Sequence, residues 1–283
     1  MDNIVSIENL NKSYDDFNLK NINLSIDNGK IVGIIGENGA GKTTTIKAVL
    51  NLINIDSGNI KIFGLDNIKN ERQIKQNISA VLDNSFLPGY YDLIDINKVM
   101  KIMNDKWSEK IFFDYCDNFK LPRNKMIKHF SKGMYIKMKI AVALSTNPKL
   151  LILDEPTSGL DPIARSDILD IFSEYINGTD NSILISSHIT SDLEKIADNI
   201  ILIDNGEILF NKTRDELLNN FLLIRCSEEE FNKLSKDSYI KYKKDRFEYK
   251  VLVDKNSENT YNLENINKAT LEDIMLLYTR GDK

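Results

Sequence analysis

The octet Gly36-Glu37-Asn38-Gly39-Ala40-Gly41-Lys42-Thr43 has the residue types and spacing to hold a polyphosphate. Glycines let successive backbone N–H groups curl around phosphate oxygens. A helix that starts at the end of such a loop adds the positive end of its dipole. Lys42 would reach the β- and γ-phosphates, and the Thr43 hydroxyl would hold Mg²⁺. A plain glycine-rich turn before a helix is the alternative. The run IVGII before the loop and the helical stretch after it are the context in which G-x-x-x-x-G-K-[ST] binds phosphate. The phosphate-contacting candidates are Gly36, Asn38, Gly39, Gly41, Lys42, Thr43 and Thr44.

A second set of groups stands at the end of the run LLILDE, residues 150–155. Asp154 is placed to bind Mg²⁺, through water, as the acidic partner of the loop. Glu155, one step further on, is the candidate general base for an attacking water. Two acids capping the turn at Pro156 are the bland alternative. The run SILISSH carries His188 at its carboxyl end. Ligands of open parallel sheets bind outside the carboxyl ends of the strands. Three such ends here carry Gly36, Asp154 with Glu155, and Ser187 with His188, so they are expected to converge. His129 is assigned no role.

The elements that must position these groups are short. LLIL and SILIS are compact apolar runs that suit strands buried on both faces of a parallel sheet, with buried helix fragments as the alternative. Residues 4–35 read as three short strands and 59–63 as another, with the DNG turn at Asp27–Gly29 as a hairpin or connection. Gly41 to Leu52 reads as a helix. Helical periodicity dominates 84–147, where Ile136, Ile140 and Leu144 share a face and Pro148 stops the helix. Residues 211–220 read as a connection and 221–283 as a small α/β appendage. In that appendage Phe247, Tyr249, Val251 and Val253 alternate on one strand face. Thr270 and Asp273 form a capping pair for a final helix bearing Leu271, Ile274, Met275 and Tyr278.

The chain has 283 residues and a net charge of −5, which disfavours a main affinity for nucleic-acid phosphates. No apolar run approaches the ~18–20 residues of a membrane-spanning helix, and no signal-peptide pattern opens the chain. Cys116 and Cys226 have no metal-type spacing, so two reduced thiols are expected.

Taken in order, the phosphate loop, FSKGM (130–134), LLILDEPTSGLD and SSH resemble the motifs of ABC-type ATPases, the nucleotide-binding subunits of ABC transporters. The resemblance covers about residues 4–210. It implies an α/β fold: a P-loop NTPase core with a mixed or parallel sheet, an N-terminal antiparallel β subdomain and an inserted helical subdomain at about 84–147. The C-terminal α/β unit then follows as an accessory domain. It implies ATP as ligand with Mg²⁺, and ATP hydrolysis. Tyr14 would stack on adenine, Asp161 would lie near a dimer seam, and His188 would touch the γ-phosphate. Ser131 and Gly133 match the family's L-S-G-G-Q, which faces the ATP of a second ATPase subunit. Lys132 and Met134 depart from that pattern, and Asp83 stands where the family has a strand-terminal glutamine, as a further metal or water ligand. In functional terms the resemblance implies a peripheral subunit on the inner face of the cell membrane. It would power separate membrane-spanning permease subunits, with a general likeness to exporters of drugs or antimicrobial peptides. A soluble ABC-type ATPase acting on nucleic acid or ribosomes is the alternative. A GTPase switch is disfavoured because no N-K-x-D motif is present.

Overall fold

A computed structural model of the chain describes residues 3–82, 87–255 and 266–283. The chain opens with β1 (Asn3–Ser13) and β2 (Asn18–Asp27), whose buried residues alternate with exposed ones, as befits a sheet covered on one face. β3 (Ile31–Ile35) is buried along its whole length. It feeds the loop 36–41 and α1 (Lys42–Val49). β4 (Ser57–Ile62) and β5 (Leu65–Asp66) return to the first sheet, giving the antiparallel order β2-β1-β4-β5. The DNG turn is therefore a connection between sheets and not a hairpin.

After the short α2 (Glu71–Lys75), β6 (Ile78–Val81) joins a central sheet. Next come the helical elements α3 (Leu93–Met103), α4 (Glu109–Asn118) and α5 (Lys132–Leu144). β7 (Leu150–Asp154) and β8 (Ser182–Ser187) are buried at every position, and α6 (Pro162–Ile176) links them. α7 (Thr190–Ile196), β9 (Asn199–Asp204) and β10 (Glu207–Thr213) complete the central sheet, in the order β10-β9-β3-β8-β7-β6. All its pairings are parallel except β9 with β10. β3 lies between β8 and β9, with β7 beyond β8, so the tips of β3, β7 and β8 lie side by side.

Two expectations for the C-terminal region need correction. Residues 211–220 are not a bare connection: they finish β10 and form α8 (Arg214–Asn220), whose capping box pairs Thr213 with Glu216. Beyond them lie β11 (Phe221–Cys226), a turn of helix α9 (Glu228–Phe231), β12 (Lys241–Lys244), β13 (Tyr249–Asp254), β14 (Ile266–Lys268) and α10 (Leu271–Arg280). The strands form an antiparallel sheet in the order β12-β13-β11-β14. Phe247 is not on the apolar face with Tyr249, Val251 and Val253. It sits in the turn before β13 and is 88% exposed. Tyr249 and the two valines are buried together with Ile224 and Cys226 in a small cluster of their own. The opposite face of this sheet, through Leu223 and Leu252, joins the main apolar core. α10 joins the same core through Leu271, Ile274, Met275 and Leu277, alongside Leu193 and Ile196 of α7 and Leu217 of α8. One apolar interior thus runs from the central sheet into the C-terminal unit.

Candidate active site

The loop between β3 and α1 wraps onto its own lysine. Lys42 is 5% exposed, and its ammonium donates to the carbonyls of Gly36 (2.8 Å) and Glu37 (3.1 Å). Gly41, the N-cap of α1, has φ 116°. A Cβ there would also stand 2.7 Å from Leu19 Cδ2 and 3.0 Å from Phe17 Cζ, so both backbone and packing demand glycine. The N-cap supplies no side-chain acceptor to α1, which leaves the first N–H groups of the helix for a ligand.

Behind the loop, the tips of β7 and β8 build a polar network. Thr43 Oγ1 donates to both oxygens of Asp154, at 3.1 and 2.9 Å. Ser186 Oγ donates to Asp154 Oδ1 at 2.7 Å and accepts from the backbone N–H of Glu155 at 3.0 Å. Glu155 has φ 50°, a left-handed conformation that a non-glycine residue adopts at a cost, of the kind concentrated at functional sites. Its carboxylate is held on two sides. Oε2 lies 2.5 Å from His188 Nδ1 and accepts from the His188 backbone N–H at 3.3 Å. Oε1 is buried, ion-paired with Lys42 at 3.3 Å, and accepts no well-formed hydrogen bond.

Asn38, Thr43, Asp154, Glu155 and His188 are among the residues that line one cavity of about 340 Å³. The expected convergence of three strand ends is thus realised in space. The residues fit a polyphosphate with a divalent cation. Thr43 and Asp154 offer hard oxygens side by side. Among the described residues no group of three or more His, Cys, Asp or Glu could hold a metal alone. The paired oxygens of Thr43 and Asp154 suit Mg²⁺, which keeps waters and phosphate oxygens among its ligands.

Tyr14, Asp161, Ser131 and Gly133 do not line this cavity. Tyr14 is 45% exposed, with the Lys12 ammonium 5.3 Å from its ring centroid. Asp161 caps α6, accepting from Ile163 and Ala164 N–H groups; the Ala164 bond first, then that of Ile163, holds its carboxyl below the usual range. Ser131 caps α5 by accepting from Met134 N at 3.2 Å, and no capping box forms. Asp83 lies outside the described residues. The thiols are unsuited to nucleophilic work: burial pushes Cys116 up to about 12 and raises Cys226 as well.

Two contributors escape a reading of the sequence. Ser186 bonds the Asp154 carboxylate and the Glu155 backbone N–H from within a buried strand, where a serine reads only as a break in an apolar run. Lys132, which the sequence shows only as a departure from the family's motif, lines the same cavity as Glu155. Its ammonium fills the space that a Cβ on Gly159 would take, and Gly159 has φ 69°.

The family model described as "ABC transporter" matches residues 19–158. The chain is 34% identical over 217 residues to the bacitracin transport ATP-binding protein BcrA of Bacillus licheniformis, covering 74% of this chain and 69% of that protein. It is 35% identical over 229 residues to the lantibiotic transport ATP-binding protein SrtF of Streptococcus pyogenes, covering 78% of this chain and 98% of that protein. A solved structure described as the ATP binding subunit of an ABC transporter superposes with a TM-score of 0.68 at 28% identity, covering 76% of this chain and 91% of that one. These relatives stand with the transport reading and not with the nucleic-acid alternative. A phosphate loop, a paired Asp-Glu strand end and a histidine strand end thus meet at one cavity in a chain with these relatives: it belongs to the ABC transporter family, as an ATP-binding and ATP-hydrolysing subunit.

Proposed function

We propose that the chain pairs with a second ATPase subunit, binds ATP with Mg²⁺ between the two, and drives export of an antimicrobial peptide or similar drug through membrane-spanning partners. The observation that carries the hydrolytic part is the buried, under-bonded Oε1 of Glu155 between Lys42 and His188. Lys42 has three donors, and phosphate oxygens compete for them better than a single carboxylate does. Triphosphate binding draws the ammonium from Glu155 and leaves Oε1 free to accept a proton from water. His188 keeps the carboxylate oriented. Asp154 and Thr43 hold the metal side of the site, with Ser186 fixing Asp154; Mg²⁺, when bound, neutralises charge on the phosphate oxygens.

Gly133 supports a shared site. A Cβ there would meet only an ordinary 3.7 Å contact with Leu160, so the chain's own packing does not require glycine. Glycine within a helix costs about 0.5–1 kcal/mol against alanine. Close approach of a phosphate held by another subunit is a reason to keep it. Mixed dimers test this. A Ser131→Ala subunit combined with a Lys42→Ala subunit retains one composite site with both motifs intact. ATPase activity of the mixture should rise well above that of either variant alone. A mixture as inactive as its parents would contradict pairing across two chains.

The export reading rests on the names of the bacitracin and lantibiotic transport relatives. No described helix is long and apolar enough to cross a membrane; in this proposal the translocation path is assigned to separate membrane-spanning subunits. Gently solubilised native membranes should yield the chain together with a membrane-spanning protein. Copurification with ribosomes or DNA instead would overturn this reading.

A further inference from the structure

We infer that Arg280 of α10 is a positioning residue for the phosphate loop, and that α10 straps this loop to the helix after His188. The inference rests on the nucleotide-binding reading above. Arg280 donates from Nε to Glu37 Oε1 at 2.8 Å, and its Nη2 lies 2.6 Å from the same oxygen. Glu37 is the second residue of the loop and its single acid between Gly36 and Thr43. Its backbone carbonyl receives Lys42 Nζ at 3.1 Å and Ala40 N at 3.1 Å. The guanidinium therefore holds the side chain of the residue whose carbonyl holds the phosphate-binding lysine.

The charge matters as much as the tether. An unpaired carboxylate in a loop built to receive a polyanion repels its ligand, and Arg280 cancels that carboxylate. At its other end α10 is fixed to α7: the Leu271 backbone N–H donates to Glu194 Oε1 at 2.6 Å. Glu194 lies on the helix that follows His188 directly. The ten-residue α10, about 15 Å long, thus bridges the phosphate loop and the helix that follows His188. Its apolar face is anchored between them by Leu271, Ile274 and Leu277, and Tyr278 stands edge-on to Phe210 of β10 with ring centroids 5.1 Å apart. The C-terminal unit is in this way wired to nucleotide binding in its own chain.

The test is equilibrium binding of ATP, without Mg²⁺ so that no turnover intervenes, to the full chain. Arg280→Ala should weaken binding about twofold to fivefold, within the range of exposed ion pairs. The loss should shrink at high salt, where screening shortens the reach of the freed Glu37 charge. Arg280→Lys should bind nearly as wild type. Arg280→Ala with Glu37→Gln should recover affinity, since the repelling charge leaves with its partner. Unchanged affinity in Arg280→Ala, or no recovery in the double variant, would overturn the assignment. Lys42→Ala runs alongside: if it binds ATP as tightly as wild type, the nucleotide-site reading itself fails, and the strap is not what has been disproved. Both Arg280 and Glu37 are partly exposed, so their replacement leaves the fold intact, and matching melting curves will show it.

Discussion

Replacing Glu155 with Gln leaves ATP binding in place and lowers turnover by about a hundredfold to ten-thousandfold, the range of a lost general base. The substitution keeps the shape, and the amide can still meet His188. It removes the one buried side-chain oxygen among the described residues that accepts no hydrogen bond, Oε1 of a carboxylate. Asp154 does not substitute, because Thr43 and Ser186 already occupy its oxygens. Binding should tighten slightly if it changes, since one negative charge beside the phosphates is lost. Phosphate release under single-turnover conditions, with Kd measured separately, checks both halves. Wild-type turnover in Glu155→Gln would remove this residue as the base.

Replacing Lys42 with Ala abolishes useful ATP affinity. Truncating one partner of a buried, hydrogen-bonded charge pair costs about 2–5 kcal/mol, or roughly thirtyfold to several thousandfold in Kd. Here the loss is twofold in kind. The phosphates lose their cation, and the Glu155 carboxylate keeps its charge 3.3 Å from where the ammonium was. The variant's site is therefore anionic as well as unfurnished. Adding Glu155→Gln to Lys42→Ala should restore part of the affinity, because the uncompensated carboxylate is gone. Equilibrium titration with ATP measures each variant. Affinity unchanged in Lys42→Ala would undercut the phosphate-loop assignment.

Much of this geometry was legible because it is local. The phosphate loop is contiguous, and its glycines, lysine and threonine do their work within eight positions. β7 and β8 announce themselves as apolar runs because both faces are covered, and polar residues at their ends must then lie at the sheet's edge. Ser186 was not legible: its partner Asp154 is set by the β7–β8 register, which no spacing along the chain reveals. The Arg280–Glu37 pair joins residues 243 positions apart without any motif. Lys132 read as a departure at a helix start, but its reach to Gly159 depends on how α5 packs beside the loop after β7. The α8 helix carried a readable signal, the Thr213-to-Glu216 capping box, that a polar stretch concealed. Phe247 followed the alternation of β13 only on paper, since the turn Asp245–Glu248 takes it out of the strand.

The unbroken apolar interior between the central sheet and α10 bears on how such chains can be recombined. Grafting a foreign C-terminal unit after residue 220 would leave Leu193, Ile196 and Leu217 facing side chains they were never fitted to. A viable hybrid must exchange matched surfaces on α7, α8 and α10 together. Divergence among subunits of this kind is then expected to proceed by compensated substitutions along that seam, and not by shuffling of ready-made parts.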